Sequence, residues 1–352
     1  MNRLAAKYFY VQLKNERGFH AYRYLKDRQL SDEMILAFGL GYSNPYSDDL
    51  YKYLRGKGYS EELIRKAGLI NTDERQGVYD KFWNRVMFPI MDVNNRVIGF
   101  GGRVMGDGSP KYLNSKETKL FDKSRNLYGL NFARSSRKKE IILCEGYMDV
   151  ISMHQAGVEN VVASSGTALT QGQIRLIHRF TSNITVLYDG DAAGIKAALR
   201  GIDLLLEDGM NVKVVLLPDG EDPDSFARKH NASQFAEFIR QNETDFIRFK
   251  TRLLLDDAGT DPIKRSALIS DIIRTVAIIP DNIARSLYIR ECSTMMEIDE
   301  MLLLNEVNKI RLNKEERQAN TPSSPIPATP VNIPEYPDIP GYQPYPEETL
   351  AE

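Results

Sequence analysis

Between Glu140 and Leu217 four short aliphatic runs alternate with segments long enough to be helices, and this alternation limits the possible folds more than any other feature of the chain. Ile141–Cys144, Val161–Ser164, Ile184–Tyr188 and Val212–Leu217 read as buried strands. Tyr147–Gln155, Thr170–Phe180 and Ala192–Glu207 read as the helices between them. Strands joined by helices of this length need crossovers, and crossovers give a mainly parallel sheet. Ligands of such sheets collect at the carboxyl ends of the strands. Here those ends are acidic: Glu145 follows the first strand, Asp189 and Asp191 the third, and Glu221, Asp222 and Asp224 the fourth. Crowded carboxylates raise one another's pKa. A divalent cation removes the conflict, and Mg2+ accepts a few carboxylate oxygens beside waters and substrate phosphates. Gly190 and Gly194 would let the backbone bend closely around the second acidic pair.

The flanks read differently. Residues 1 to about 70 have the apolar spacing of helices, with Ser31 and Ser60 as helix starts. Val86–Met91 and Val97–Phe100, separated by Asn94-Asn95, predict a hairpin. Residues from Ser233 to Arg317 read as amphipathic helices. The last stretch holds nine prolines and neither Lys nor Arg, the composition of a disordered linker. The expected divisions are 1–135, an N-terminal α+β subdomain; 136–232, the central α/β domain; 233–318, a C-terminal helical bundle; and 319–352, a Pro-rich tail.

Net charge is −2, which taken alone argues against a nucleic-acid partner. Its distribution matters more. From Arg96 to Lys139 there are eleven Lys or Arg against three acids. A basic surface beside an acidic cluster suits a polyanion processed with metal ions. No run of apolar residues is long enough to span a membrane. Cys144 and Cys292 are too few for a disulfide framework or a four-cysteine zinc site, and a reducing cytoplasm is expected.

Three stretches resemble the motifs of topoisomerase–primase (TOPRIM) domains as they occur in bacterial DNA primases. They are Leu143–Val150 (LCEGYMDV), Ala163–Thr167 (ASSGT) and Tyr188–Gly194 (YDGDAAG). Pro218–Asp224 (PDGEDPD) is similar to the primase segment that adds two further acids. Outside that domain, Asn84–Ile90, Val97–Arg103, Pro110–Ser115 and Asp122–Gly129 resemble primase-specific motifs, and the likeness covers about residues 3 to 310. It implies a DNA-templated RNA polymerase making short primers from ribonucleoside triphosphates on single-stranded DNA.

On that resemblance Glu145, Asp189 and Asp191 are the catalytic acids, and with Asp222 and Asp224 they hold Mg2+, or Mn2+. Glu145 either binds metal or assists proton transfer. Arg85, Arg103, Lys111, Tyr112, Asn114, Lys123 and Arg125 are the implied nucleotide and nucleic-acid residues. Asp149, a turn into a helix, is given a structural role. Gly101-Gly102 would let a backbone approach nucleic acid closely. A TOPRIM nuclease or topoisomerase-like enzyme is the alternative. It would share the acids, but not the primase-specific motifs. The family's zinc-binding Cys/His domain is not found in the sequence, so no zinc is expected. The helicase-docking domain is expected to be absent too, leaving an isolated polymerase core.

Overall fold

Local chemistry starts many of the helices. Ser31 Oγ accepts the Met34 N–H, and Ser60 Oγ the Leu63 N–H, opening Asp32–Ala37 and Glu61–Lys66 as expected. The computed structural model describes residues 1–45, 48–73, 77–166, 169–188, 201–218 and 220–319. Met1–Arg311 forms one unit; a second begins at Leu312.

The N-terminal third carries six strands: β1 (Gly41–Ser43), β2 (Ile70–Asp73), β3 (Gly77–Asp80), β4 (Arg85–Met91), β5 (Val97–Val104) and β6 (Tyr112–Asn114). The expected hairpin is β4–β5, with a register shift at Ile90/Met91. It sits in an antiparallel sheet of order β1-β4-β5-β6. β1 interrupts the region expected to be helical, and the β2–β3 pair begins where that region ends.

The central strands appear where expected, as β7 (Ile141–Cys144), β8 (Val161–Ala163), β9 (Asn183–Tyr188) and β10 (Asn211–Leu216). They pair in parallel. A short antiparallel strand, β11 (Thr244–Asp245), joins the edge and gives the order β11-β10-β9-β7-β8. The chain leaves β7 for β8 on one side and then builds β9 and β10 on the other. The carboxyl ends of β7 and β9 therefore flank the switch point where such sheets bind ligands.

The sheet is covered on both faces, as its unbroken apolar runs require. Ile141 and Leu143 of β7, Val186 of β9 and Val214 of β10 pack with Phe246, Leu268, Ile272, Ile289 and Leu303 of the C-terminal helices. The alternate residues Ile142, Cys144, Leu187 and Val215 pack with Leu25, Phe38, Val86 and Phe88 of the N-terminal region. The period of two along each strand thus divides two cores. Both cores run across the divisions expected at 135 and 232, within the single unit Met1–Arg311.

Candidate active site

Glu145 follows β7 directly and is exposed. Gly146 then opens the helix Tyr147–Gln155, and the Asp149 carboxylate accepts the Gly146 N–H at 2.8 Å. Asp149 thereby anchors the turn that presents Glu145. The register pairs Leu143 with Val186, so the ends of β7 and β9 lie side by side. Asp189 and Asp191, the next acids after β9, lie outside the described residues, as do Gly190 and Gly194.

The other two expected metal ligands behave differently from each other. Asp222 caps the helix Pro223–Lys229, its Oδ1 accepting the Ser225 N–H at 2.6 Å. Asp224 is buried, only 2 % exposed. Its carboxylate accepts from Arg28 and, at 2.5 Å, from Ser152 Oγ, with Arg228 Nε 3.6 Å away. Both oxygens are engaged by protein groups, so Asp224 is an internal anion here rather than an open ligand. Among the described residues no three of His, Cys, Asp or Glu cluster as a metal site.

The basic candidates separate in the same way. In β5–β6, Arg103 lies opposite Tyr112 and Gly101 opposite Asn114, which puts all four on one face. The Arg103 guanidinium lies 4.4 Å from the centre of the Tyr24 ring, and its buried Nε has no hydrogen-bond partner among the described residues. Burial, with Tyr24 close by, pushes the Tyr112 hydroxyl up to about 12. Tyr112 is still 38 % exposed. Lys111 is exposed in the turn before β6. Lys123 is partly buried, which lowers its pKa, and Arg125 pairs with Asp122 at 3.5 Å across an exposed surface.

Tyr147 joins this face to the acidic end of the sheet. Its hydroxyl donates to Asn114 Oδ1 at 2.6 Å, while Asn114 Nδ2 donates to the Ser165 carbonyl at 3.2 Å. Its ring stacks on Phe88 at 5.1 Å. A Cβ on Gly101 would stand 2.6 Å from that ring, and one on Gly102 3.0 Å from Arg85 and Phe82. These glycines admit protein side chains, which corrects the expectation that they admit nucleic acid. Arg85 needs a similar correction. It is buried, and one guanidinium nitrogen donates to the carbonyls of Gly102 at 3.2 Å and Pro110 at 2.9 Å. It holds the Lys111 loop rather than presenting a charge to a ligand.

Sequence reasoning missed Arg28, Tyr24, Ser152 and Arg228. Arg28 directly follows the helix Phe19–Asp27, and nothing around it in sequence announces a partner 196 positions away.

The fold matches solved structures closely. A DNA primase domain from Pseudomonas aeruginosa superposes with a TM-score of 0.80 at 36% identity, over 87% of this chain and 98% of that one. The chain belongs to the DNA primase family. A family model for the N-terminal domain of the DNA primase catalytic core matches residues 8–134, and a Toprim-like model matches residues 142–227. The first match lies outside the TOPRIM domain, where a nuclease or topoisomerase would have no counterpart. A DNA primase of Clostridium acetobutylicum is 40% identical over 91% of this chain. A DnaG primase catalytic domain bound to single-stranded DNA is 35% identical, with a TM-score of 0.74 over 83% of this chain and 96% of that one. The chain spans about half the length of the curated primases it matches, 54% of one and 49% of another.

One further match overturns an expectation. The model for the DnaB-helicase binding domain of primase fits residues 247–300. The helicase-docking module expected to be absent is represented within the helical bundle. Amphipathic periodicity marks a face that packs, and does not tell a docking helix from a core helix. Among the described residues no helix is long and apolar enough to cross a membrane.

Proposed function

We propose that this chain is a primase RNA polymerase core that copies single-stranded DNA into short RNA primers from ribonucleoside triphosphates. The observation that carries the reading is the Tyr147–Asn114 hydrogen bond. It locks the face bearing Arg103 and Tyr112 against the turn that presents Glu145, so a strand on that face runs toward the acidic switch point.

Oxygen donors at exposed strand ends suit Mg2+ or Mn2+. Glu145 has no hydrogen-bond or ion-pair partner among the described residues, and we assign it to the metal site with Asp189, Asp191 and Asp222. Bound there, such ions would lower the pKa of an attacking 3′-hydroxyl and steady the triphosphate. Arg103, Lys111, Lys123 and Arg125 supply the cationic surface for template and nucleotide phosphates. Tyr112 offers a half-exposed ring against which a base can stack. Asp224 holds Arg28 against the Tyr24 ring that Arg103 also faces. The module at 247–300 is assigned to contact with a replicative helicase, and the whole to the cytoplasm, where Cys144 and Cys292 stay reduced.

The test is incubation with a single-stranded DNA template and four ribonucleoside triphosphates in Mg2+ or Mn2+. Short RNA complementary to the template is expected. Cleavage or rejoining of the DNA without ribonucleotide incorporation would overturn the reading.

A further inference from the structure

The amino ends of β7, β9 and β10 frame an open cavity of ≈ 430 Å³, on the rim of the sheet opposite Glu145. Lys138, Lys139, Asn183, Asn211 and Lys213 line it, together with Glu140. The loop entering β7 is pinned rather than loose. The Lys139 carbonyl accepts from Thr181 Oγ1 at 2.6 Å and from Asn183 Nδ2 at 3.2 Å, and Asn211 Nδ2 donates to Asn183 Oδ1 at 2.8 Å. The Lys139 backbone is thus fixed to the strand ends and the Lys138 N–H to Ser136 Oγ in the loop, while both side chains stay exposed.

Charge at this rim is one-sided. Lys213 is neutralised by Glu243 at 2.5 Å. Lys138, Lys139 and the neighbouring Arg134 and Arg137 have no ion-pair partner among the described residues, leaving Glu140 as the acid in the lining. Two ammonium groups on an anchored loop, beside two side-chain amides, make a concave site that matches the tetrahedral oxygens of a phosphate.

We propose that this cavity is a second phosphate-binding site, taking backbone phosphates of single-stranded DNA on the far side of the sheet from the acids. It rests on the reading that the chain works on single-stranded DNA. β9 has six residues and separates the two rims by about 20 Å at ~3.3 Å per residue, so one strand reaches both only if it is long enough to wrap around.

The test compares the full chain with its Lys138→Gln/Lys139→Gln variant, measuring the affinity for DNA oligonucleotides by fluorescence anisotropy across a series of KCl concentrations. One oligonucleotide has about 4 nucleotides and the other about 30, at the lower limit of and well above the span of a single binding fold. For the long one, the salt dependence should become shallower by about 1.4, at ~0.7 per lost phosphate contact. Affinity for the short one, and for ATP without DNA, should not change. An unchanged slope on the long oligonucleotide overturns the proposal, as does a loss confined to ATP, which would make the cavity a nucleotide site. An Arg103→Ala/Lys111→Ala variant separates the two readings. If it weakens both oligonucleotides while the lysine variant weakens neither, only the second site fails. If the parent chain binds neither, the polymerase reading fails with it.

Discussion

Arg28 and Asp224, 196 residues apart, form an ion pair, half-buried at the guanidinium and buried at the carboxylate, that ties the end of the second N-terminal helix to the helix following β10. Ser152 and Arg228 complete the ring around the carboxylate. The pair thereby connects the basic face of the N-terminal subdomain to the acidic end of the central sheet.

Removing the guanidinium leaves a carboxylate that is 2 % exposed with only its lesser partners. Arg28→Met should therefore cost about 1–3 kcal/mol, the usual scale for a buried polar group deprived of its partner. Urea unfolding checks this: the midpoint should fall at unchanged slope. Equal midpoints for variant and parent would contradict the assigned pairing.

Arg85 leads to an opposite expectation from its motif. Arg85→Met leaves the Gly102 and Pro110 carbonyls without their donor and should also cost about 1–3 kcal/mol. The salt dependence of single-stranded DNA binding should keep its slope, because no phosphate contact is lost. A shallower slope would show that Arg85 reaches the DNA.

Asp80 supplies a pH dependence. Its carboxylate accepts the Leu50 and Tyr51 N–H groups at the start of the helix Asp49–Gly56. Burial outweighs those bonds and, with Asp49 and Asp48 adding, pushes the carboxyl up to about 7 from an ordinary value of 3.8. Between those values the folded chain keeps a proton that the unfolded chain has lost. This contribution to stability is complete below the unfolded value and disappears as pH rises through the folded one. Unfolding midpoints at about pH 5 and pH 7.5 should show the parent losing more stability with rising pH than Asp80→Asn, which has no such proton. Parallel pH profiles would contradict the shift.

The parts of this molecule that were legible in sequence are those whose cause is local. The unbroken apolar run of Ile141–Cys144 and the helix starts at Ser31 and Ser60 depend on a few neighbouring residues and appear as expected. The acids at successive strand ends marked the carboxyl edge of the sheet, while the switch point came only with the strand order. What escaped depends on distant partners. Arg28 lies beside the candidate site because Asp224 is buried beneath it, and Arg85 is turned inward because two carbonyls take its guanidinium. Gly101 faces the Tyr147 ring instead of a ligand. β1 is a three-residue strand that exists through pairing with β4, which no local pattern announces. The helicase-binding match at 247–300 was hidden because its helices share the ordinary amphipathic pattern of the bundle.

The central claim is that the acids following β7 and β9 carry out template-directed RNA synthesis. Its most direct measurement is labelled ribonucleotide incorporation on a single-stranded DNA template in Mg2+, by the parent chain, Asp189→Ala and Asp191→Ala, with the thermal midpoint of each. The parent should make short RNA. Each variant should lose at least about a hundredfold in rate, since several kcal/mol of charge stabilisation go with the metal. Their thermal midpoints should be equal to the parent's or slightly higher, because one repelling carboxylate is gone. Near-parent synthesis by either variant, or no template-dependent RNA from the parent, would contradict the account.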